Sequence, residues 1–292
     1  MHLVHTIGCS FTKWIYPTWS DYIAKHYDAE VCNLGFSGTG NSIIKKKLYT
    51  IEKSDHVFIM FSGRDRQVQG IDKDCINENI NNYEINPSIL QSIKSNTQHW
   101  FLNSIPLSAF VNKKSVTKGV TSKFHDHYQM LEDIYDCQNY LQAKGIDYNF
   151  SLWQGFYNDL SKKRNFLLKR HMNHDDYMKN SIYHTIFTSI DHDQFFQNIE
   201  KGLWEYMLDH KELVEVQSTV DMHPSTLCHF DYFKTYIKPV LDKKIPCKDN
   251  MDHLYSQAKK FSQYFRDTWT EKSTYDYDER TREKYFELFE NL

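Results

Sequence analysis

The spacing of apolar residues changes several times over the first sixty residues, and the changes predict strands and helices in turn. Short apolar runs at His2–Ile7, Glu30–Leu34 and His56–Phe61 are typical of strands. Between them, Pro17–Tyr27 and Asn41–Lys53 repeat apolar residues every three or four positions, as one face of a helix does. Because strands and helices that alternate in this way form right-handed βαβ units, the pattern predicts a parallel sheet.

Two long polar stretches interrupt this pattern. Residues 67–122 are rich in Asn, Ser, Lys and Asp and keep no sustained period, whereas residues 156–210 are polar and aromatic. We interpret both stretches as insertions. Between them, His127–Lys144 has the apolar spacing of a helix, Gly145 suits its C-terminal cap, and Ile146–Trp153 predicts a fourth strand.

The C-terminal part of the chain supplies the remaining elements. Leu213–Val220 predicts a fifth strand and Ser225–Leu241 predicts the closing helix, while the sequence from Asp242 onward is amphipathic and helical. The predicted fold class is therefore α/β, with a mostly parallel sheet of about five strands. We expect an α/β domain over residues 1–243 and a helical C-terminal extension over residues 244–292.

Composition narrows the class of protein without identifying it. Aromatic residues make up 15% of the chain, which argues against disorder. The formal net charge is −3, which gives no indication of a nucleic-acid-binding surface. No apolar run approaches the ~18 residues of a membrane span, and the first residues lack the features of a secretory signal. We therefore expect a cytoplasmic protein without a membrane partner. The six cysteines include no CxxC pair, so neither a zinc ribbon nor a redox dithiol is indicated.

Polar groups suited to acyl transfer follow three of the predicted strands. Ser10 comes just after the first strand, a glycine-rich turn that contains Gly38 follows the second, and Asp221 and His223 follow the last. Carboxyl ends of parallel strands meet at one edge of a sheet, where such folds place their active sites. A serine hydroxyl becomes a nucleophile when an imidazole takes its proton and a carboxylate orients that imidazole. Gly38 lacks a Cβ, so its backbone N–H can approach an oxyanion.

The order of these segments resembles the SGNH (GDSL-type) hydrolases. The segment Gly8-Cys9-Ser10 resembles the family's Gly-Asp-Ser block, which carries the nucleophilic serine. The spacing from Asn33 to Gly38 matches the block that ends in the oxyanion-hole glycine, and Asp221 with His223 resembles the last block. The resemblance implies a flavodoxin-like three-layer α/β/α fold, a catalytic triad of these residues, no cofactor, and an ester substrate such as an acylated carbohydrate.

The sequence departs from the family pattern at several positions. Arg64 stands where the third block has an oxyanion-binding Asn, Cys9 replaces the Asp of the first block, and one residue rather than two separates Asp221 from His223. Arg64 can still donate to an oxyanion or bind an anionic substrate, and Asn41 is another candidate donor.

These departures keep other interpretations open. One is a non-catalytic binding or assembly protein that retains the fold, and another makes Cys9 the nucleophile. Several His-Asp pairs in the insertions, such as those around His127 and His192, invite a metal-binding interpretation, but none has the HExxH form and we expect no metal. The oligomeric state is not indicated.

Overall fold

The computed structural model describes residues 2–36, 39–63, 68–71, 100–103, 123–156, 174–210, 223–268 and 279–292. In chain order, its strands are β1 (His2–Gly8), β2 (Ala29–Asn33), β3 (His56–Phe61), β4 (Val68–Ile71), β5 (Trp100–Asn103) and β6 (Asp147–Leu152). Its longer helices are α1 (Trp19–His26), α2 (Asn41–Leu48), α3 (Lys123–Lys144), α5 (Ser181–Ser189), α9 (Met251–Thr268) and α10 (Glu279–Asn291). The shorter ones are α4 (His174–Met178), α6 (Leu203–Asp209), α7 (Thr226–Tyr232) and α8 (Lys238–Leu241); a π-helical segment, Phe233–Ile237, joins the last two.

A four-stranded sheet forms the centre of the protein, and its strand order is β2-β1-β3-β6. All three neighbouring pairs are parallel, with Val4 opposite both Val31 and His56. β1 is therefore an inner strand of this sheet. Every residue of β3 is buried, which fits a strand covered on both faces. The predicted α/β class with a mostly parallel sheet is confirmed.

Helices cover both faces of this sheet and give the protein two apolar cores. On one face, α2 and α3 pack against Ile7, Ile59 and Phe150. On the other face, residues of α1, α7, α9 and α10 form one apolar core together with Val4 and Phe58. The C-terminal helices α9 and α10 thus share a core with the sheet, and the division of the chain at residue 243 stays a prediction.

Local hydrogen bonds explain why two helices are shorter than their apolar spacing predicts. α1 begins at Trp19 rather than at Pro17 because the Thr18 N–H donates to the Asp21 carboxylate (2.8 Å), which fixes Thr18 as the cap. α2 ends at Leu48 rather than at residue 53. There the Thr50 hydroxyl donates to the Lys47 carbonyl (2.7 Å) and turns the chain away.

The insertions are described only in part. Within residues 67–122, β4 and β5 form an antiparallel pair apart from the main sheet. Within residues 156–210, helices α4 to α6 are described, and Phe195 forms a parallel bridge to Phe150 of β6. The predicted fifth strand, Leu213–Val220, lies outside the described residues. Among the helices that are described, none is both long and apolar enough to cross a membrane.

Candidate active site

Ser10 lies in a tight turn directly after β1. The Cys9 carbonyl accepts hydrogen bonds from the Thr12 N–H (2.9 Å) and the Lys13 N–H (3.2 Å), so the chain reverses as soon as it leaves the strand. The turn folds closely over Gly8, where an added Cβ would lie 2.1 Å from the Thr12 hydroxyl and 2.9 Å from the Met60 carbonyl. Since α1 begins only at Trp19, Ser10 stands in a turn and not at a helix N-terminus.

The structure brings Ser10 and His223 together. Their side chains are 213 positions apart in the chain, yet the Ser10 Oγ lies 2.7 Å from the His223 Nε2. This distance is within hydrogen-bond reach and suits transfer of the hydroxyl proton to the imidazole. Ser10 is 3% exposed, whereas His223 is partly exposed.

Two aromatic side chains contact the imidazole of His223. The Trp14 ring stacks on it, with ring centroids 4.0 Å apart and planes inclined by 16°. The Phe11 ring is 4.9 Å away and also contacts Trp153, at 5.0 Å. All three aromatic rings are nearly buried, and two of them, Phe11 and Trp14, contact the imidazole directly.

The chain after His223 is held by contacts from several other elements. The Tyr16 hydroxyl donates to the Pro224 carbonyl (3.0 Å), and the Tyr22 hydroxyl donates to the Thr226 carbonyl (3.2 Å). Ser225 caps α7, its hydroxyl accepting a hydrogen bond from the Cys228 N–H (3.1 Å). The position of the imidazole is thus fixed from its C-terminal side.

The remaining candidate residues differ in what the structure shows of them. Asp221, Gly38 and Arg64 lie outside the described residues. Asn41 is 4% exposed and its side chain pairs with the backbone of Ser62: it accepts from the Ser62 N–H (2.7 Å) and donates to the Ser62 carbonyl (3.2 Å). In this arrangement Asn41 fixes the chain just after β3.

Cys9 and His229 lie beside the Ser10–His223 pair but are buried. Cys9 is 0% exposed and belongs to the apolar core. His229, in α7, is also 0% exposed. Burial, and to a smaller extent electrostatic repulsion from the neighbouring His223, lowers the pKa of His229 to about 3.

Only one group of potential metal ligands occurs among the described residues. Ligand atoms of His26, Asp242 and Cys247 lie within 4.8 Å of one another. The Asp242 carboxylate already accepts hydrogen bonds from the Tyr27 hydroxyl (2.7 Å) and the Lys238 ammonium (2.5 Å). A cation would have to displace that ammonium, and we assign no metal to the group.

The histidines that suggested metal sites have other partners. His127 is buried, with one ring nitrogen 2.8 Å from the Tyr177 hydroxyl and the other 3.2 Å from the Phe156 carbonyl. His192 has a ring nitrogen 2.9 Å from the Phe187 carbonyl. Both imidazoles are therefore held by the local fold.

The contacts of Trp14 are the main feature of the site that the sequence did not indicate. The residue is apolar and close to Ser10, which is compatible with the core, the rim of a cleft or a ring stack. No periodic pattern separates these three outcomes.

Comparisons with known proteins give distant structural similarities. No protein-family model matches the chain, and no curated protein matches it. Among solved structures, TesA is 11% identical, with a TM-score of 0.42, covering 83% of this chain and 99% of its own. A GDSL-like lipase from Bacteroides thetaiotaomicron VPI-5482 is 13% identical, with a TM-score of 0.39, covering 82% and 88%.

A third similar structure is the psychrotrophic esterase EstA from Pseudoalteromonas sp., inhibited by monoethylphosphonate. It is 12% identical, with a TM-score of 0.38, and the match covers 83% of this chain and all 100% of that one.

Proposed function

We propose that this protein is a serine ester hydrolase of the SGNH type. The observation that carries the proposal is the 2.7 Å distance between the Ser10 Oγ and the His223 Nε2. A serine within reach of an imidazole at the carboxyl edge of a parallel sheet has the geometry of an activated nucleophile. The order of the sequence blocks around Ser10, Gly38 and Asp221 supports the same assignment.

In the proposed reaction, Ser10 attacks the ester carbonyl and forms the new C–O bond. His223 accepts the hydroxyl proton at Nε2 and then gives it to the leaving alcohol, whose bond to the carbonyl carbon breaks. Water then attacks the carbonyl of the acyl-enzyme and gives its proton to His223, which returns the proton to the Ser10 oxygen as the acid product leaves. If an alcohol attacked in place of water, the enzyme would be an acyltransferase. Asp221 is proposed to accept a hydrogen bond from the other ring nitrogen of His223 and so to fix its orientation.

The oxyanion of the tetrahedral intermediate needs donors near Ser10. We propose the backbone N–H groups of Ser10 and Gly38, assisted by the side chain of Arg64. Asn41, the alternative donor, is engaged with the Ser62 backbone and would act by holding the end of β3.

The acyl part of the proposed substrate is short. This rests on the 3% exposure of Ser10 and on the nearly buried rings of Phe11 and Trp14 that contact His223, which favour a small acyl group over a long one. A carbohydrate as the alcohol part is what the family resemblance implies.

The decisive experiment compares hydrolysis of p-nitrophenyl acetate by the wild type and by Ser10→Ala and His223→Asn. We expect both variants to fall to near-background rates, because each removes one half of the activated pair. A Ser62→Ala variant is the matched control, since it removes a buried serine hydroxyl from the same strand edge without touching the pair. Equal rates for the wild type and Ser10→Ala would end the proposal.

The same burial of Ser10 favours a second candidate, a non-catalytic protein that uses the fold to bind a partner. A serine that substrate cannot reach would keep its contact with His223 and yet have no turnover. A fluorophosphonate probe separates the two candidates, since only an accessible and activated serine forms the covalent adduct. Labelling of the wild type but not of Ser10→Ala supports the hydrolase, and absence of labelling supports the binding protein.

A further inference from the structure

The two C-terminal helices contact both chain segments that form the Ser10–His223 pair. We call residues 9–18, which join Ser10 to α1, the nucleophile loop. The Phe265 ring of α9 meets Tyr16 of this loop edge to face, with centroids 5.2 Å apart. On the other side, the Ser262 hydroxyl of α9 accepts a hydrogen bond from the Leu227 N–H in the first turn of α7 (2.9 Å).

The most specific of these contacts comes from Arg282 in α10. One terminal nitrogen of its guanidinium donates to the backbone carbonyl of Trp14, and the other donates to the Asp21 carboxylate at 2.6 Å. The second Asp21 oxygen accepts from the Thr18 N–H at the start of α1. The guanidinium also lies over the Phe286 ring, 4.1 Å from its centroid. A planar fork with fixed donors is suited to hold two acceptors in one geometry, which an ammonium cannot do equally well.

This contact is largely removed from water. The side chain of Arg282 is 11% exposed and that of Asp21 is 12% exposed, so the ion pair is poorly screened. A second ion pair between the same two helices differs in this respect. Lys25 of α1 and Glu290 of α10 are 2.7 Å apart, but the Glu290 side chain is 63% exposed. The exposed Lys25–Glu290 pair therefore serves as a control for the buried Arg282–Asp21 pair, since both join α10 to α1.

Arg282 is joined to His223 through a single residue. Arg282 holds the carbonyl of Trp14, and the ring of Trp14 stacks on the imidazole at 4.0 Å. A shift of the Trp14 backbone would move the ring and remove one wall against the imidazole. The Ser10–His223 distance would then depend on the remaining contacts alone.

We infer that Arg282 is a positioning residue of the proposed active site, which fixes Trp14 and through it the imidazole of His223. The inference rests on the proposed function. It makes the C-terminal helical pair part of the framework of the site.

The experiment compares Arg282→Met and Arg282→Lys with the control Glu290→Gln in p-nitrophenyl acetate hydrolysis and in the rate of fluorophosphonate labelling. We expect Arg282→Met to lose about tenfold or more in kcat with little change in KM, because a small misplacement of reacting groups acts on turnover. Arg282→Lys should lie between Arg282→Met and the wild type, and Glu290→Gln should match the wild type. The inference would be overturned if folded Arg282→Met had the kcat of the wild type, or if Glu290→Gln lost as much kcat as Arg282→Met.

A double-mutant cycle with Trp14→Leu tests whether the effect passes through Trp14. If it does, Arg282→Met should cost little further activity in the Trp14→Leu background, whereas a general loss of stability would add to the first loss. Full additivity would overturn the inference. If Arg282→Met fails to fold, the cycle is run with Arg282→Lys, which retains the charge and most of the stem.

A readout that needs no activity separates this inference from the proposed function. In protein labelled on histidine, the ring signals of His223 are assigned by their loss in His223→Asn, and they report the ring current of Trp14. We expect these signals to move in Arg282→Met and to stay in place in Glu290→Gln. Should the wild type neither hydrolyse the ester nor label, the proposed function fails, while unchanged His223 signals in Arg282→Met would overturn the positioning role.

Discussion

The buried position of His229 leads us to predict that mild acid destabilises this protein. The residue lies in α7 at 0% exposure, and neither ring nitrogen has a hydrogen-bond partner among the described residues. Burial is the larger cause of its low pKa and electrostatic repulsion from the neighbouring His223 is the smaller one; together they bring the pKa to about 3, against an ordinary value of 6.5. The folded protein therefore keeps His229 neutral at a pH where the unfolded chain binds a proton.

The sign and size of the effect follow from this difference in pKa. Between pH 6.5 and pH 3 the unfolded state binds more protons than the folded state, so the free energy of unfolding falls as the pH falls. One pKa unit corresponds to about 1.4 kcal/mol, so from pH 7 to pH 5 His229 alone should reduce the free energy of unfolding by about 2 kcal/mol. Below pH 3 the contribution becomes constant, because His229 is then protonated in both states.

Urea unfolding of the wild type and of His229→Leu at pH 7 and pH 5 measures this contribution. The loss between the two pH values should be about 2 kcal/mol smaller in His229→Leu. His56 adds a similar loss to both proteins, since burial and the nearby Lys244 lower its pKa to about 4, and it cancels in the comparison. The same substitution at the exposed His253 serves as a control for replacing a histidine that is not buried. Equal losses in the wild type and His229→Leu would refute the reasoning.

Three further substitutions test the packing around the site, each by urea unfolding at pH 7. Gly8→Ala should cost about 1–3 kcal/mol, because its Cβ would lie 2.1 Å from the Thr12 hydroxyl; a stability equal to that of the wild type would show that the turn relaxes freely. Asn41→Ala should lower the free energy of unfolding by about 2 kcal/mol, since it leaves the buried backbone groups of Ser62 without their side-chain partner. A loss no larger than that caused by replacing an exposed Asn with Ala would contradict this. Phe261→Ala, in the apolar face of α9, should cost about 3–5 kcal/mol; a cost near zero would mean that the C-terminal helices contribute nothing to the core.

The sheet could be predicted from sequence because its signals are local. The apolar run His56–Phe61 coincides with β3, and the runs His2–Ile7 and Glu30–Leu34 overlap β1 and β2, which pair with each other in the sheet. Helix ends were less predictable, since they depend on individual hydrogen bonds such as those of Thr18 and Thr50 and not on the period of the apolar residues.

The meeting of Ser10 and His223 could also be anticipated, because one rule of parallel sheets places both at the same edge. The contacts that hold them could not. Trp14 and Arg282 are 268 positions apart, and their hydrogen bond depends on how α10 docks against α1. A basic residue in an amphipathic helix usually faces solvent, so nothing in the local sequence distinguishes Arg282 from its neighbours. Tertiary packing alone gives it two acceptors.

These contacts imply an asymmetry between the two halves of the site. Ser10 directly follows β1, which pairs with a neighbouring strand on each side. The turn that carries Ser10 therefore begins at a rigid strand. The chain after His223 is held instead by contacts with neighbouring elements, among them hydrogen bonds at Pro224, Thr226 and Leu227 to three different elements. Each such hydrogen bond contributes only about 1 kcal/mol net. The imidazole is therefore the half of the site more sensitive to substitutions in the surrounding helices, and variants there should impair turnover before they unfold the sheet.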